Sequence, residues 1–210
     1  MNDYSLRLSK LTKIFGRRLV FKDIDYNFKT GRVYGIAGSN GSGKSTLSKI
    51  IIGLASPTSG NATHTFNNKT ITVDDLYNHV GFVSPYLILY DEFTAEENLI
   101  HFAKIRGLNY EEDKIKRLFD NFNLYDRRND ILKGYSSGMK QRMKFIFAMQ
   151  HNPELYIFDE PTSTLDNQGK DAVYEIIGRE KQNKLILIAS NEDADLAICD
   201  EILNVEDFKL

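Results

Sequence analysis

Apolar residues along this chain fall into two kinds of pattern. Short unbroken runs, Val33 to Ala37, Val80 to Val83, Leu155 to Phe158 and Leu185 to Ala189, have the length and β-branched or aromatic content of strands covered on both faces. Such strands belong to a mostly parallel sheet whose connections are helices. Elsewhere the apolar positions alternate with polar ones: Ile24, Tyr26 and Phe28 within the region Tyr4 to Phe28, and again over Ala62 to Phe66, after the turn-forming stretch Pro57 to Gly60. That alternation predicts antiparallel strands with one wet face. Helical spacing takes over at Leu47, Ile50, Ile51 and Leu54, and at Met139, Met143, Ile146 and Phe147. Thr94 and Glu97 form a capping box, Glu111 to Phe122 reads as a helix, and Ser136 opens the last helix before Pro153. The sum is an α/β fold with a helical insertion at about residues 87–150. No repeat or linker divides the 210 residues, so the expectation is one domain over 1–210.

The junction between Val33–Ala37 and the Leu47 helix carries the first chemistry. Gly38-Ser39-Asn40-Gly41-Ser42-Gly43-Lys44-Ser45-Thr46 fits G-x-x-x-x-G-K-[ST], the phosphate loop of nucleoside triphosphatases. Gly38, Gly41 and Gly43 let successive N–H groups turn inward as an anion nest, and small side chains let a phosphate approach. Lys44 brings a mobile positive charge to the β- and γ-phosphates. The Ser45 hydroxyl is an oxygen ligand of the kind magnesium prefers. The expected core is therefore that of a P-loop NTPase, with ATP and Mg2+ as cofactors.

Downstream, Tyr135-Ser136-Ser137-Gly138-Met139-Lys140-Gln141-Arg142 precedes a helix, and the run Leu155 to Phe158 ends in Asp159-Glu160-Pro161-Thr162 followed by Ser163-Thr164-Leu165-Asp166. Together with the phosphate loop, their order and spacing resemble the nucleotide-binding subunit of an ATP-binding cassette (ABC) transporter over essentially the whole chain. Tyr135 to Met139 stands where that family has its signature, in a form similar to exporter-type systems. Leu155 to Asp159 resembles the Walker B strand and Ser163 to Asp166 the D-loop.

The resemblance implies roles. Asp159 would hold magnesium with Ser45. Glu160 would orient or deprotonate the attacking water, with Lys44 compensating charge. Ser136, Ser137 and Gly138 would offer a hydroxyl and N–H groups to the γ-phosphate of a partner's ATP, in a head-to-tail dimer, homo or hetero, in which each chain is half of each site. Phe15, 29 residues before Lys44, stands near the family's adenine-stacking aromatic. Two positions depart from the pattern. Pro85 occupies the place of a glutamine that contacts magnesium and water; either Ser84 or Tyr86 partly substitutes, or a contact with the transport domain dominates this loop. Asn191, after Leu185–Ala189, replaces a histidine that contacts γ-phosphate; its amide donates a hydrogen bond but does not titrate.

Charge and composition narrow the partners. Lys and Arg total 27 against 29 Asp and Glu, a net charge of −2, which predicts no nucleic-acid surface. Lys140, Arg142 and Lys144 are expected to be solvated on a helix face. Cys199 is alone, and His64, His79, His101 and His151 lack ligand spacing, so neither disulfide nor zinc is expected. No run reaches the length of a membrane helix, and Met1 to Lys10 lacks the apolar core of a signal peptide. The expected location is cytoplasmic, peripheral at the inner face of the membrane through an integral membrane transport subunit. That subunit chooses the cargo in this family. Alternatives are a degenerate ATP-binding regulatory subunit, because of Pro85 and Asn191, and a soluble DNA-associated ABC ATPase. The latter would carry a long insertion that Thr46 to Tyr135 does not hold. A GTPase reading of Asn67-Asn68-Lys69-Thr70 lacks the required aspartate.

Overall fold

The computed structural model describes residues 3–209. Strands β1 (Tyr4–Phe15), β2 (Arg18–Lys29), β4 (Ser59–Phe66) and β5 (Lys69–Ile71) form an antiparallel sheet in the order β2-β1-β4-β5. Strands β3 (Val33–Ala37), β6 (Val80–Val83), β7 (Leu155–Asp159), β8 (Leu185–Ala189) and β9 (Glu201–Asn204) form the second sheet, in the order β6-β7-β8-β3-β9. Every pairing in it is parallel. The fold class is therefore α/β, with a P-loop core sheet beside an antiparallel one.

The continuous apolar runs are explained by what covers the parallel sheet. Side chains alternate across a strand, so each run feeds two cores. Leu155, Ile157, Leu185, Leu187, Tyr34 and Ile36 point to one side, onto helix α1 (Lys44–Ile51) and onto Phe21, Ile24 and Phe28 of the antiparallel sheet. Tyr156, Phe158, Ile186 and Ile188 point to the other. There they meet α5 (Ser137–Met149), α6 (Asn167–Glu180) and the aromatic residues Phe119 and Phe122. Each such side chain, wholly removed from water, contributes about 1.5 to 3 kcal/mol.

The segment between β6 and β7 holds α3 (Ala95–Ile105), α4 (Glu112–Asn121) and α5. The Thr94 hydroxyl accepts from the Glu97 N–H at 3.1 Å, and Glu97 accepts from the Thr94 N–H at 2.8 Å, which fixes the start of α3. In α5, Met143 and Ile146 are fully buried, whereas Met139 and Phe147 are only partly covered and pack against the same core.

Several expectations need correction. Leu54 does not extend α1: the helix ends at Ile51, Gly53 takes φ of +76°, and Leu54 is 70% exposed. The second half of the antiparallel sheet starts at Ser59 rather than Ala62, because Gly60 (φ +76°) bends within the strand where a Cβ would lie 2.2 Å from the Lys10 carbonyl oxygen. The short helices α2 (Leu76–His79) and α7 (Asp193–Ala197) and the edge strand β9 carried too few periodic residues to be read.

Candidate nucleotide site

The loop between β3 and α1 is built around two glycines that admit no side chain. At Gly43, φ is +119° and a Cβ would lie 2.5 Å from Val20 Cγ1; at Gly38, φ is +145° and a Cβ would lie 2.5 Å from Ser42 Oγ. The Ser42 N–H donates to the Ser39 carbonyl at 3.0 Å, closing the turn. Lys44, buried, threads its ammonium back under the loop and donates to the carbonyl oxygens of Gly38 (2.9 Å) and Ser39 (3.4 Å). It also lies 3.5 Å from Glu160 Oε1. The loop thus holds its own cation at the position from which it faces the carboxylates of β7.

Those carboxylates differ sharply. Asp159, the last residue of β7, is completely buried. Its Oδ1 accepts from the Ser45 hydroxyl at 3.0 Å, while Oδ2 has no protein partner. Burial pushes its carboxyl above the ordinary range, opposed by the Ser45 hydroxyl and by Lys44 and Lys49. A buried carboxylate oxygen left unpartnered is costly unless a cation or proton completes it. The donor set fits magnesium: a hydroxyl and a carboxylate oxygen, with remaining positions for water and phosphate. Glu160 is likewise pushed up by burial and pulled back by Lys44. Its backbone is left-handed at φ +50°, an unfavourable setting for glutamate that surrounding bonds must enforce. The Glu160 N–H donates to the Ala189 carbonyl at 2.8 Å, and the Ser163 hydroxyl donates to the Glu160 carbonyl at 3.2 Å.

A cavity of about 770 Å3 opens over these groups. Its walls include Phe15, Arg18, Asn40, Gly41, Gly43, Lys44, Ser45, Thr46, Pro85, Tyr86, Glu160, Ser163, Asn191 and Glu192. Phe15 ends β1 and is 54% exposed, with the Lys13 ammonium 4.6 Å from its ring centroid. Three loop residues lie off the wall. Gly38 does not line it, the Ser42 side chain is buried, and the Ser39 hydroxyl donates to Glu206 at 2.6 Å. Ser136, Ser137 and Gly138 do not border this cavity. The Ser136 hydroxyl accepts from the Met139 N–H at 3.2 Å and caps α5, while Ser137 borders a separate cavity of about 360 Å3.

Sequence reasoning missed several residues that shape the site. Arg18 donates from its guanidinium to the Gly41 carbonyl at 3.2 Å, on the cavity wall. Asp195, buried in α7, accepts from the hydroxyls of Thr162 (2.9 Å), Tyr174 (2.7 Å) and Ser190 (2.7 Å). It thereby ties the turn after Glu160 to the loop that presents Asn191. No local signal in the sequence announces such a junction, since Thr162 and Tyr174 lie 33 and 21 residues from Asp195. The basic residues of α5 are half-exposed and also bonded to the protein, which the expectation of purely solvated charges did not include. Lys140 pairs with Asp91 at 2.7 Å, Arg142 donates to the Phe122 carbonyl at 3.0 Å, and Lys144 donates to the carbonyls of Ser84 (3.0 Å) and Pro85 (3.2 Å). These side chains thus bond a carboxylate and backbone oxygens while remaining partly open to water.

The family model described as ABC transporter matches residues 21–163. The chain belongs to the ABC transporter family. It is 31% identical over 205 residues to the linearmycin resistance ATP-binding protein LnrL of Bacillus subtilis, covering 94% of this chain and 65% of LnrL. It is 30% identical over 210 residues to the Nod factor export ATP-binding protein I of Sinorhizobium fredii, covering 98% of this chain and 61% of that protein. The chain thus spans less than two thirds of the length of either relative. Among solved structures, an ATP-binding subunit of an ABC transporter superposes with a TM-score of 0.82 at 29% identity, covering 95% of this chain and 85% of the other. Pro85 and Asn191 both fall on the cavity wall.

Proposed function

We propose that this ABC chain binds ATP with Mg2+ and hydrolyses it to ADP and phosphate, powering a membrane transporter of the exporter kind. The observation that carries the reading is Asp159: fully buried, joined to Ser45 through one oxygen, and bare on the other. Ser45 and Asp159 would hold the metal, which supplies charge neutralisation to the phosphates.

This chain's own groups perform the rest. The loop N–H groups and Lys44 cradle the β- and γ-phosphates, with Phe15 and Arg18 also on the cavity wall. Glu160 accepts a hydrogen bond from the attacking water and takes its proton as the water oxygen bonds to γ-phosphorus and the bond to ADP breaks. Burial raises its basicity in step with that task. The Asn191 amide donates toward the γ-phosphate oxygens.

The signature residues Ser136 to Gly138 lie off their own cavity, which supports a head-to-tail dimer in which they close over the partner's nucleotide. No helix among the described residues is long and apolar enough to cross a membrane. The membrane path is therefore assigned to a separate or attached transport subunit, with this chain peripheral to it on the cytoplasmic side. The exporter assignment follows the Tyr135 to Met139 form and the Nod factor export relative.

Steady-state phosphate release tests the reading. Wild type should hydrolyse ATP in the presence of magnesium, Lys44→Ala should fall to background, and Glu160→Gln should bind ATP with turnover lowered at least about 100-fold. The second reading, a regulatory subunit without turnover, is favoured by Pro85, whose ring offers no donor to the cavity. Wild-type release no greater than that of Glu160→Gln would establish it.

A further inference from the structure

Gln141 lies in α5, one helical turn beyond Ser137, and is buried. Its Nε2 donates to the carbonyl oxygen of Pro161 at 2.9 Å, in a buried bond spanning 20 residues of sequence. Pro161 directly follows Glu160. The same helix end touches this segment a second time: at Gly138 a Cβ would lie 3.4 Å from the Thr164 carbonyl oxygen and 4.0 Å from Leu165 Cδ2. Helix α5 is therefore seated on the strand-end turn that carries Glu160, without itself bordering that residue's cavity.

The mechanics of the turn make the contact consequential. Proline fixes its own φ, so the turn has one soft dihedral fewer with which to absorb a displacement of the Pro161 carbonyl before it reaches Glu160. Glu160 already sits at φ +50°, where a small change redirects the carboxylate. On the far side the turn is anchored, because the Thr162 hydroxyl donates to buried Asp195. The segment is thus held firmly at Thr162 and moved, if at all, through Pro161.

We infer that Gln141 is a positioning residue that couples the two nucleotide sites, passing the seating of Ser136–Gly138 on a partner's nucleotide to the orientation of Glu160 over the chain's own. The inference rests on the head-to-tail dimer proposed above. A helix is stiff along its axis, so a shift of the Ser137 end reaches Gln141 undiminished. The Gln141 amide then carries it across one hydrogen bond.

The test measures phosphate release against ATP concentration and equilibrium ATP binding for wild type, Gln141→Met and Gln141→Glu. Methionine keeps length and volume without a donor. The expected result for Gln141→Met is a kcat lowered about ten-fold, a Hill coefficient reduced to about 1 and ATP affinity within about two-fold of wild type. A merely structural role would lower affinity and kcat together. Gln141→Glu regains a donor only when its buried carboxyl is protonated, so its deficit should shrink as pH falls while that of Gln141→Met relative to wild type stays constant. This second variant decides the matter if Gln141→Met fails to fold. A wild type that hydrolyses ATP cooperatively, with Gln141→Met indistinguishable from it, overturns the coupling alone, as does a wild type that hydrolyses without cooperativity. A wild type with no hydrolysis, and Glu160→Gln with no ATP-driven dimer, overturns the transport-ATPase reading beneath it.

Discussion

Asn191 and Phe15 each stand on the cavity wall with their side chains uncommitted to the protein interior. If the Asn191 amide donates to γ-phosphate, Asn191→Ala leaves a charged acceptor unpaired in a closed site, a loss of about 1.5 to 3 kcal/mol. Turnover should then drop by roughly ten- to 150-fold with a smaller change in ATP affinity. Asn191→His should keep or raise activity, since an imidazole N–H also donates. Phosphate release that is unchanged in Asn191→Ala would remove the residue from the mechanism. Phe15→Ala should raise the KM for ATP about five-fold, because stacking on a base contributes about 1 kcal/mol, and leave kcat in place. The phosphate loop and the Asp-Glu pair were legible in the sequence because each is a contiguous string whose letters report local geometry. Arg18, Gln141 and Asp195 were not, because their partners Gly41, Pro161 and Thr162 are reached only through the fold.

Where the two sheets meet, the antiparallel one is fastened to the end of α1 by a buried histidine. His64 Nε2 lies 2.8 Å from the Ile51 carbonyl and Nδ1 lies 2.7 Å from the Tyr4 hydroxyl. A carbonyl only accepts, so Nε2 carries the hydrogen and Nδ1 takes the tyrosine's. Burial pushes the imidazole down to about 4 from 6.5. His151, whose Nε2 is 3.1 Å from the Val80 carbonyl, is driven down to about 3, again chiefly by burial. Both groups bind fewer protons folded than unfolded in the window below pH 6.5. Their contribution is whole above that pH and is lost as pH falls toward 4. The urea midpoint should therefore drop between pH 7 and pH 4.5. The drop should be smaller in His64→Gln, which offers an amide donor to Ile51 but cannot charge. Equal slopes in the two proteins would exclude His64 as the source. Asp159 and Glu160, with carboxyls raised by burial, act with the opposite sign, so the comparison with His64→Gln is needed to isolate the imidazole.

For the molecule as a whole, the arrangement of half-sites predicts association that depends on nucleotide. Glu160→Gln, which should retain ATP, should accumulate dimers in ATP and magnesium and return to monomers in ADP. Light scattering that reports monomer in both, with ATP binding intact, would leave a different nucleotide-binding chain as the partner. The four core strands of the parallel sheet and the alternating strands of the other followed from the sequence by itself, because parallel strands buried on two faces must be apolar throughout and half-wet strands must alternate. So did the phosphate chemistry, because only glycine tolerates the backbone of that loop and only a lysine at its end reaches back to the phosphates. The tertiary structure alone decided which side of each strand faces which core, since a run such as Leu155 to Phe158 is apolar on both. It also decided which carboxylate and carbonyl oxygens Lys140, Arg142 and Lys144 bond. Finally, it brought Asp195 and Gln141 to opposite sides of the turn after Glu160. Pairings across 20 and 33 residues depend on how helices pack on a sheet, and no local pattern of hydrophobic and polar residues encodes that packing.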